Sequence, residues 1–240
     1  MIPVRRKRRK GPAPQHPFDT LHGTDTGSLI PGDDLATGHR HDRHITAYHG
    51  VAPSLFGKLL TRWQPLAQHP MERTAFIDIG AGKGRAMLLA AEHPFRRIVG
   101  VELHPALAAA ARSNIERYQS AHTTPPIRLE EADVMSLRMP AGPCLLFLFN
   151  PFGIVLMDSF LDRLAILFKD RPGQLDLLYV NDEQRELIAD YHQQFHELWR
   201  GRIHLSHEDR AADKAIINHD ADGLYVTTGY EDCGIWRFNP

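Results

Sequence analysis

Cysteine is scarce: the 240 residues include only Cys144 and Cys233, far apart and with no CxxC pair, so neither a disulfide framework nor a zinc–thiolate site is expected. Cys144 opens an apolar run, where a buried thiol is ordinary. No stretch approaches the roughly 20 consecutive apolar residues needed to span a bilayer, which excludes a membrane helix. The opening MIPVRRKRRK has the charge of a secretory signal but no apolar centre behind it, so a cytoplasmic protein is expected. Internal repeats, a nucleophilic serine elbow and a metal-ligand set are also missing. His39, His41 and His44 lie close together, but in an irregular segment with no second cluster, and no metal is expected there.

What is present is the composition of a globular chain, 42% apolar and 24% charged, long enough for one domain with a sizeable core. Its charge is uneven. Arg5 to Lys10 are six basic residues in a row; removing them from 28 Lys and Arg leaves 22 against 29 Asp and Glu, a formal charge of -7. An acidic body argues against a folded face that grips duplex nucleic acid, leaving the tail as the one part able to contact it. Residues 1–15 form a disordered basic tail in this reading, residues 16–70 an arm and lead-in helix that fold over a ligand, and residues 71–240 the main domain.

From Pro53 the apolar residues Leu55, Phe56, Leu59, Leu60 and Trp63 fall at helical spacing, with Ser54 as a possible cap. Strands and helices then alternate: strand Ala75 to Ile79, helix Gly84 to Glu92, strand Arg97 to Glu102, helix Pro105 to Tyr118, strand Ile127 to Ala132. Cys144 to Phe149 is apolar throughout, as a strand covered on both faces should be. Helix Ile154 to Phe168, strand Leu175 to Val180 and helix Asp182 to Gln193 continue the alternation. Leu198 to Ser206, Leu224 to Thr228 and Ile235 to Phe238 follow as strands. The expected fold is α/β, a Rossmann-like doubly wound, mostly parallel seven-stranded sheet closed by an antiparallel C-terminal hairpin.

The informative segment is AFIDIGAGKGR, residues 75–85, which ends a buried strand and opens a helix. Its glycines let the chain turn with positive φ and let a ligand approach the main chain. A dinucleotide fingerprint needs glycine where Arg85 stands, and a P-loop needs Ser or Thr after Lys83, where Gly84 stands. In VGVELHP, residues 99–105, Glu102 ends the next strand, placed to accept hydrogen bonds from ribose hydroxyls. Asp78, ahead of the glycines, would repel a pyrophosphate and suit an ammonium group. A phosphate-free nucleoside with an amino acid end, S-adenosylmethionine, fits both features.

DIGAGKGR followed by VGVELHP resembles the first two motifs of class I S-adenosylmethionine-dependent methyltransferases. FDTLHGTDTGSL, AYHGVAPSLFGKLL and NPFG are similar to a bacterial group of such enzymes over residues 16–200, distantly similar in turn to the non-SET histone-lysine methyltransferases. The resemblance implies that Asp78 and the loop Gly80, Ala81, Gly82, Lys83 and Gly84 hold the methionine end, with Glu102 on the ribose and with Arg85 and Leu103 also among the donor-binding residues. It also implies Asp133 at the adenine amino group, the Val134 N–H on the ring, and Tyr48 in a lid. Asp133 read alone is a helix N-cap, Tyr48 a packing ring, and Lys83 and Arg85 solvent-facing side chains.

Asn150, Pro151 and Phe152 end the most apolar strand and resemble the Asn/Asp-Pro-Pro-Tyr/Phe motif that aligns a nitrogen for methylation, with one proline where that motif has two. Asn150 is thus either a group that aims the acceptor nitrogen or a turn former. Asn181, ending LLYVND, either lines an acceptor pocket or caps a helix. The resulting expectation is methyl transfer from S-adenosylmethionine to a nitrogen of a protein side chain or small molecule. The alternatives are an RNA methyltransferase using the basic tail and a donor-binding module without turnover.

Overall fold

The computed structural model describes residues 12–44, 46–221 and 225–240; the basic run Arg5 to Lys10 lies outside them. The arm begins with α1 (Pro17–His22), which is capped by the His16 side chain and ends at Gly23 in the left-handed region. Strands β1 (Leu29–Ile30) and β2 (Tyr48–His49) pair antiparallel and carry the chain to α2 (Pro53–Trp63). The five apolar residues read from the α2 sequence are all buried. Ser54 does not cap α2: its N–H donates to Asp209, and its hydroxyl accepts from the Ser206 N–H, so it ties two helix starts together.

The main domain runs β3 (Ala75–Ile79), α3 (Arg85–Ala90), β4 (Arg97–Glu102), α4 (Pro105–Ala121), β5 (Ile127–Glu131) and β6 (Cys144–Phe149). It continues with α5 (Ile154–Phe168), β7 (Leu175–Val180), α6 (Arg185–Tyr191), β8 (Phe195–His204), α7 (His207–Asp220) and β9 (Tyr230–Phe238). Seven strands form one sheet in the order β5-β4-β3-β6-β7-β9-β8, and only the pairings of β9 are antiparallel. This is the expected Rossmann-like, doubly wound sheet. From β3 the chain winds outward through β4 to β5, then returns to β6 on the other side, so the strand order reverses between β3 and β6. In open α/β sheets a crevice forms at the carboxyl ends of two such strands.

Alternation along β3 divides the core. Phe76 joins Phe56 and Phe147 under α2 and α3, whereas Ala75, Ile77 and Ile79 face Met157, Phe160 and Leu164 of α5. Both faces of the central strands are covered, which is why β6 is apolar throughout. The free ends are tied by a buried group: Asp176 on β7 accepts two hydrogen bonds of 2.7 Å from Arg237 on β9 and one of 2.7 Å from Trp63 Nε1 on α2.

The C-terminal third departs from its sequence reading. α7 replaces part of the expected run of strands, and Tyr225 to Thr228, the described part of the strand expected over Leu224 to Thr228, is irregular. The antiparallel strands β8 and β9 are therefore joined through a helix, not a hairpin turn. α7 buries Asp209 and Asp213 beside Ile216 and Ile217, so its inward face shows no apolar stripe, although the Ser206 cap precedes it. β8 begins earlier than expected and carries an irregularity between Glu197 and Trp199, and β9 begins at Tyr230. Cys144 and Cys233 are both free and buried. No helix among the described residues is long and apolar enough to cross a membrane.

Candidate active site

The loop after β3 turns on three glycines with positive φ: Gly80 at 72°, Gly82 at 54° and Gly84 at 89°. The Gly80 and Ala81 N–H groups both donate to Val101 O on β4, at 3.0 and 2.9 Å, which draws the loop across the strand tips. A Cβ on Gly80 would lie 3.0 Å from Pro151 Cβ, and one on Gly82 would lie 2.1 Å from a Tyr48 ring carbon. Only glycine lets the loop, the NPFG turn and the arm tyrosine meet here.

Glu102, at the end of β4, accepts from the Gly82 N–H at 2.7 Å through one oxygen and from the His104 N–H at 2.8 Å through the other. Each carboxylate oxygen has a second lone pair to offer. Burial pushes Glu102 above the usual carboxylate range despite those two donors. Asp78 is 3% exposed, and burial, with the neighbouring Glu102 charge, pushes it up to about 8. Two buried carboxyl groups under a glycine loop disfavour an anion, and a cation beside Asp78 would draw it into its ionised form.

A single cavity joins Asp78, Gly80, Ala81 and Gly82 to Glu102 and Leu103 on one side. Its other walls are Asp133 and Val134 beyond β5, Pro151 and Phe152 beyond β6, and Tyr48 from the arm. The Tyr48 ring lies over Gly82 and its hydroxyl donates to Thr26 O at 2.7 Å. Burial pushes that hydroxyl above its usual range. Leu35, His41 and His44, which motif reasoning did not place at a donor site, complete the arm's roof.

Three expected site residues stand apart from the cavity. Lys83 donates to Asp25 at 3.1 Å, and Gly84 packs on Ala111 of α4. Asn150 has φ 39°, its carbonyl accepts from Thr46 Oγ1 at 2.7 Å, and its side-chain oxygen lies 3.5 Å from the Tyr179 hydroxyl. Asn tolerates this left-handed backbone better than other non-glycine residues.

No family model matches the chain. A tRNA1(Val) (adenine(37)-N6)-methyltransferase of Shewanella sp. (strain MR-4) is 41% identical over 66 residues, which are 28% of this chain and 26% of that protein. The matched part thus spans about a quarter of the relative's length. Among solved structures, an RNA methyltransferase from Salinibacter ruber in complex with S-adenosyl-L-homocysteine has a TM-score of 0.45 at 16% identity, covering 77% of this chain and 90% of that one. A ribosomal protein L11 methylase from Lactobacillus delbrueckii subsp. bulgaricus has a TM-score of 0.45 at 10% identity, covering 77% and 79%. Structural likenesses this weak bear on neither activity nor acceptor.

Arg85 corrects the expectation of a solvent-facing side chain. It is 2% exposed, and it donates to Thr26 Oγ1 at 2.7 Å and to Asp19 at 3.3 Å. The first residue of α3 points into the arm, so the guanidinium closes onto α1 and the turn at Thr26. Asp19 also accepts from both the hydroxyl and the N–H of Thr26. Asp133 performs two tasks at once. One oxygen accepts from the Met135 N–H at 2.9 Å, the cap reading, while the other faces Arg40 and His41, each at 3.3 Å. Burial opposes its ionisation, but Met135, His41 and Arg40 together hold it below the usual range.

His39, His41 and Asp133 place three ligand-type atoms within 4.8 Å of one another. His39 Nδ1, however, accepts from the His41 N–H. In a neutral imidazole that leaves the proton on Nε2, which faces Asp133 as a donor and not as a metal ligand.

Proposed function

We propose that the chain is an S-adenosylmethionine-dependent methyltransferase acting on a nitrogen. The observation that carries this reading is Glu102 bonded to the Gly82 N–H, with the buried Asp78 carboxyl beside it in the same cavity. The residues fit the donor. Asp78 suits an ammonium group, the spare lone pairs of Glu102 suit two ribose hydroxyls, and the cavity wall at Asp133 and Val134 suits an adenine edge, with the adenine amino group taking a remaining lone pair of Asp133 beside Met135, Arg40 and His41. When bound, the donor supplies an electrophilic methyl group on a sulfonium. The chain's own work is to hold the two partners in line, keep water out under the arm and leave the acceptor lone pair unprotonated.

Pro151 and Phe152 line the cavity at the tip of β6, where an acceptor would enter. Asn150 acts by holding their turn, since its amide lies against Tyr179. Calorimetric titration with S-adenosylmethionine and S-adenosylhomocysteine tests the site: Glu102→Ala should weaken both by about 2 kcal/mol, roughly 30-fold, as expected for losing charged hydrogen bonds. Unchanged affinity in that variant would defeat the assignment. Transfer of labelled methyl from the donor into cell extract separates an enzyme from a binding module without turnover.

One observation favours a second reading of the acceptor. The relative matched over 66 residues is named for adenine N6 of a tRNA, so an RNA base amine is the first macromolecular acceptor to try. The protein side chain or small molecule expected from the motifs has no such match, and the likeness to non-SET histone-lysine enzymes rests on the motifs alone.

A further inference from the structure

A second cavity adjoins the donor cleft, and His49, Val51 and Phe149 line both. Asn181, in a left-handed conformation (φ 50°), stands at the tip of β7 on its border. α7 contributes Asp213 and Ile217, and the start of β9 contributes Glu231. Val51, Leu55 and Ile217 make an apolar wall, and no lysine or arginine lines the cavity among the described residues.

Asp213 is 3% exposed, and its Oδ1 is buried without a hydrogen-bond partner. The nearest basic nitrogens are His49 Nε2 at 3.6 Å and His16 Nε2 at 4.0 Å, both too far to bond. Burial, aided by the Arg85 charge, pushes both imidazoles down to about 4, so neither is a cation at neutral pH. Arg85 is itself bonded to Asp19 and Thr26. Burial and the neighbouring Asp209 charge both disfavour ionised Asp213, and the Arg85 charge only partly offsets them, so a buried carboxyl with no bonded partner is costly here unless something compensates it.

We propose that this cavity is the acceptor subsite and takes the protonated amine of an aliphatic chain, with Asp213 and Glu231 receiving the ammonium and Val51, Leu55 and Ile217 flanking its alkyl stem. The assignment rests on the reading of the adjoining cleft as the donor site. An alkyl ammonium satisfies both walls, whereas a neutral base offers no charge and a phosphate would be repelled. The ammonium must lose one proton before its nitrogen can accept a methyl group. That proton passes to the Asp213 or Glu231 carboxylate, whose affinity for it is raised by burial.

The full chain, saturated with S-adenosylhomocysteine, is titrated calorimetrically with hexylamine and with hexanol as its neutral isostere. Hexylamine should bind about tenfold or more tightly than hexanol, and Asp213→Asn and Glu231→Gln should each cost it about tenfold while leaving S-adenosylhomocysteine affinity within about twofold. Displacement of hexylamine by a lysine peptide, but not by its acetyl-lysine counterpart, assigns a protein side chain; no displacement by either assigns a free alkylamine. Equal binding of amine and alcohol, unchanged amine affinity in both variants, or labelled transfer to bulk tRNA that is undiminished in them overturns the proposal. Should Asp213→Asn fail to fold, Glu231→Gln, half-buried at a strand start, carries the same test. A chain that fails to bind S-adenosylhomocysteine but still prefers hexylamine to hexanol defeats the donor reading and with it the acceptor role, while an amine site at Asp213 and Glu231 stands; equal binding of amine and alcohol by a chain that does bind S-adenosylhomocysteine defeats the amine site alone.

Discussion

At the scale of single residues, Asp78 sets a cost that a ligand can relieve. Unfolded, its carboxyl ionises in the ordinary range; folded, it holds its proton until about pH 8. Between roughly pH 4 and pH 8 the native state therefore binds a proton that the unfolded state has released, and stability falls as pH rises through that window. Asp78→Asn should raise the Tm at pH 8 and leave it nearly unchanged at pH 4, while weakening S-adenosylmethionine binding. Scanning calorimetry at the two pH values reads the first effect, and a wild-type Tm as high at pH 8 as the variant's would refute it. Because an ammonium favours the ionised carboxyl, donor binding below pH 8 should release a proton, visible as a dependence of the binding heat on buffer ionisation enthalpy. Arg85 and Asp19 are a different case. Both lie at 2% side-chain exposure, so removing one partner leaves a buried charge, and Arg85→Met should cost about 3–5 kcal/mol in urea unfolding. A smaller loss in the double variant with Asp19→Asn than in the single one would show that the uncompensated charge is the cause.

Among the elements, the glycine loop and α7 differ in how openly the sequence announces them. Gly80, Gly82 and Gly84, with Glu102 in the next strand, declare a strand-to-helix ligand turn because positive φ and a bare main chain have few other sources. Family likeness implied only that Tyr48 belongs to a lid; its packing on Gly82 was not legible, since the two lie 34 residues apart and no local pattern links them. Gly82→Ala should displace the Tyr48 ring and strain the φ of 54°, costing on the order of 1–3 kcal/mol in stability and weakening the donor. Adding Tyr48→Ala should return part of the stability, as thermal shift would measure. α7 escaped notice because its inward face carries Asp209 and Asp213, the wrong chemistry for an apolar stripe. Its start signal is nonetheless real: the Ser206 hydroxyl accepts from the Asp209 N–H at 3.0 Å, and Ser206→Ala should cost about 1 kcal/mol.

Across the whole molecule, charge is segregated: six basic residues at Arg5 to Lys10 precede a remainder that carries -7. If RNA is the acceptor, that run supplies the counterion release. Its deletion should then flatten the salt dependence of RNA binding without altering donor affinity, and a salt slope that survives the deletion would place the contact elsewhere. Sequence alone determined the order of strands and helices from α2 through β7, though not α1 or the β1–β2 pair of the arm, because hydrophobic period and glycine punctuation are local properties of the chain. It also marked the glycine loop proposed to hold the donor, whose chemistry lies within one strand, one turn and the tip of the next. Only the folded chain decided that Arg85 turns inward to the arm, that Asn150 leans on Tyr179, and that Asp213 and Glu231 share a cavity. Those outcomes depend on which distant surfaces meet, and the sign and burial of a charge are fixed by its neighbours in space, which no local pattern encodes.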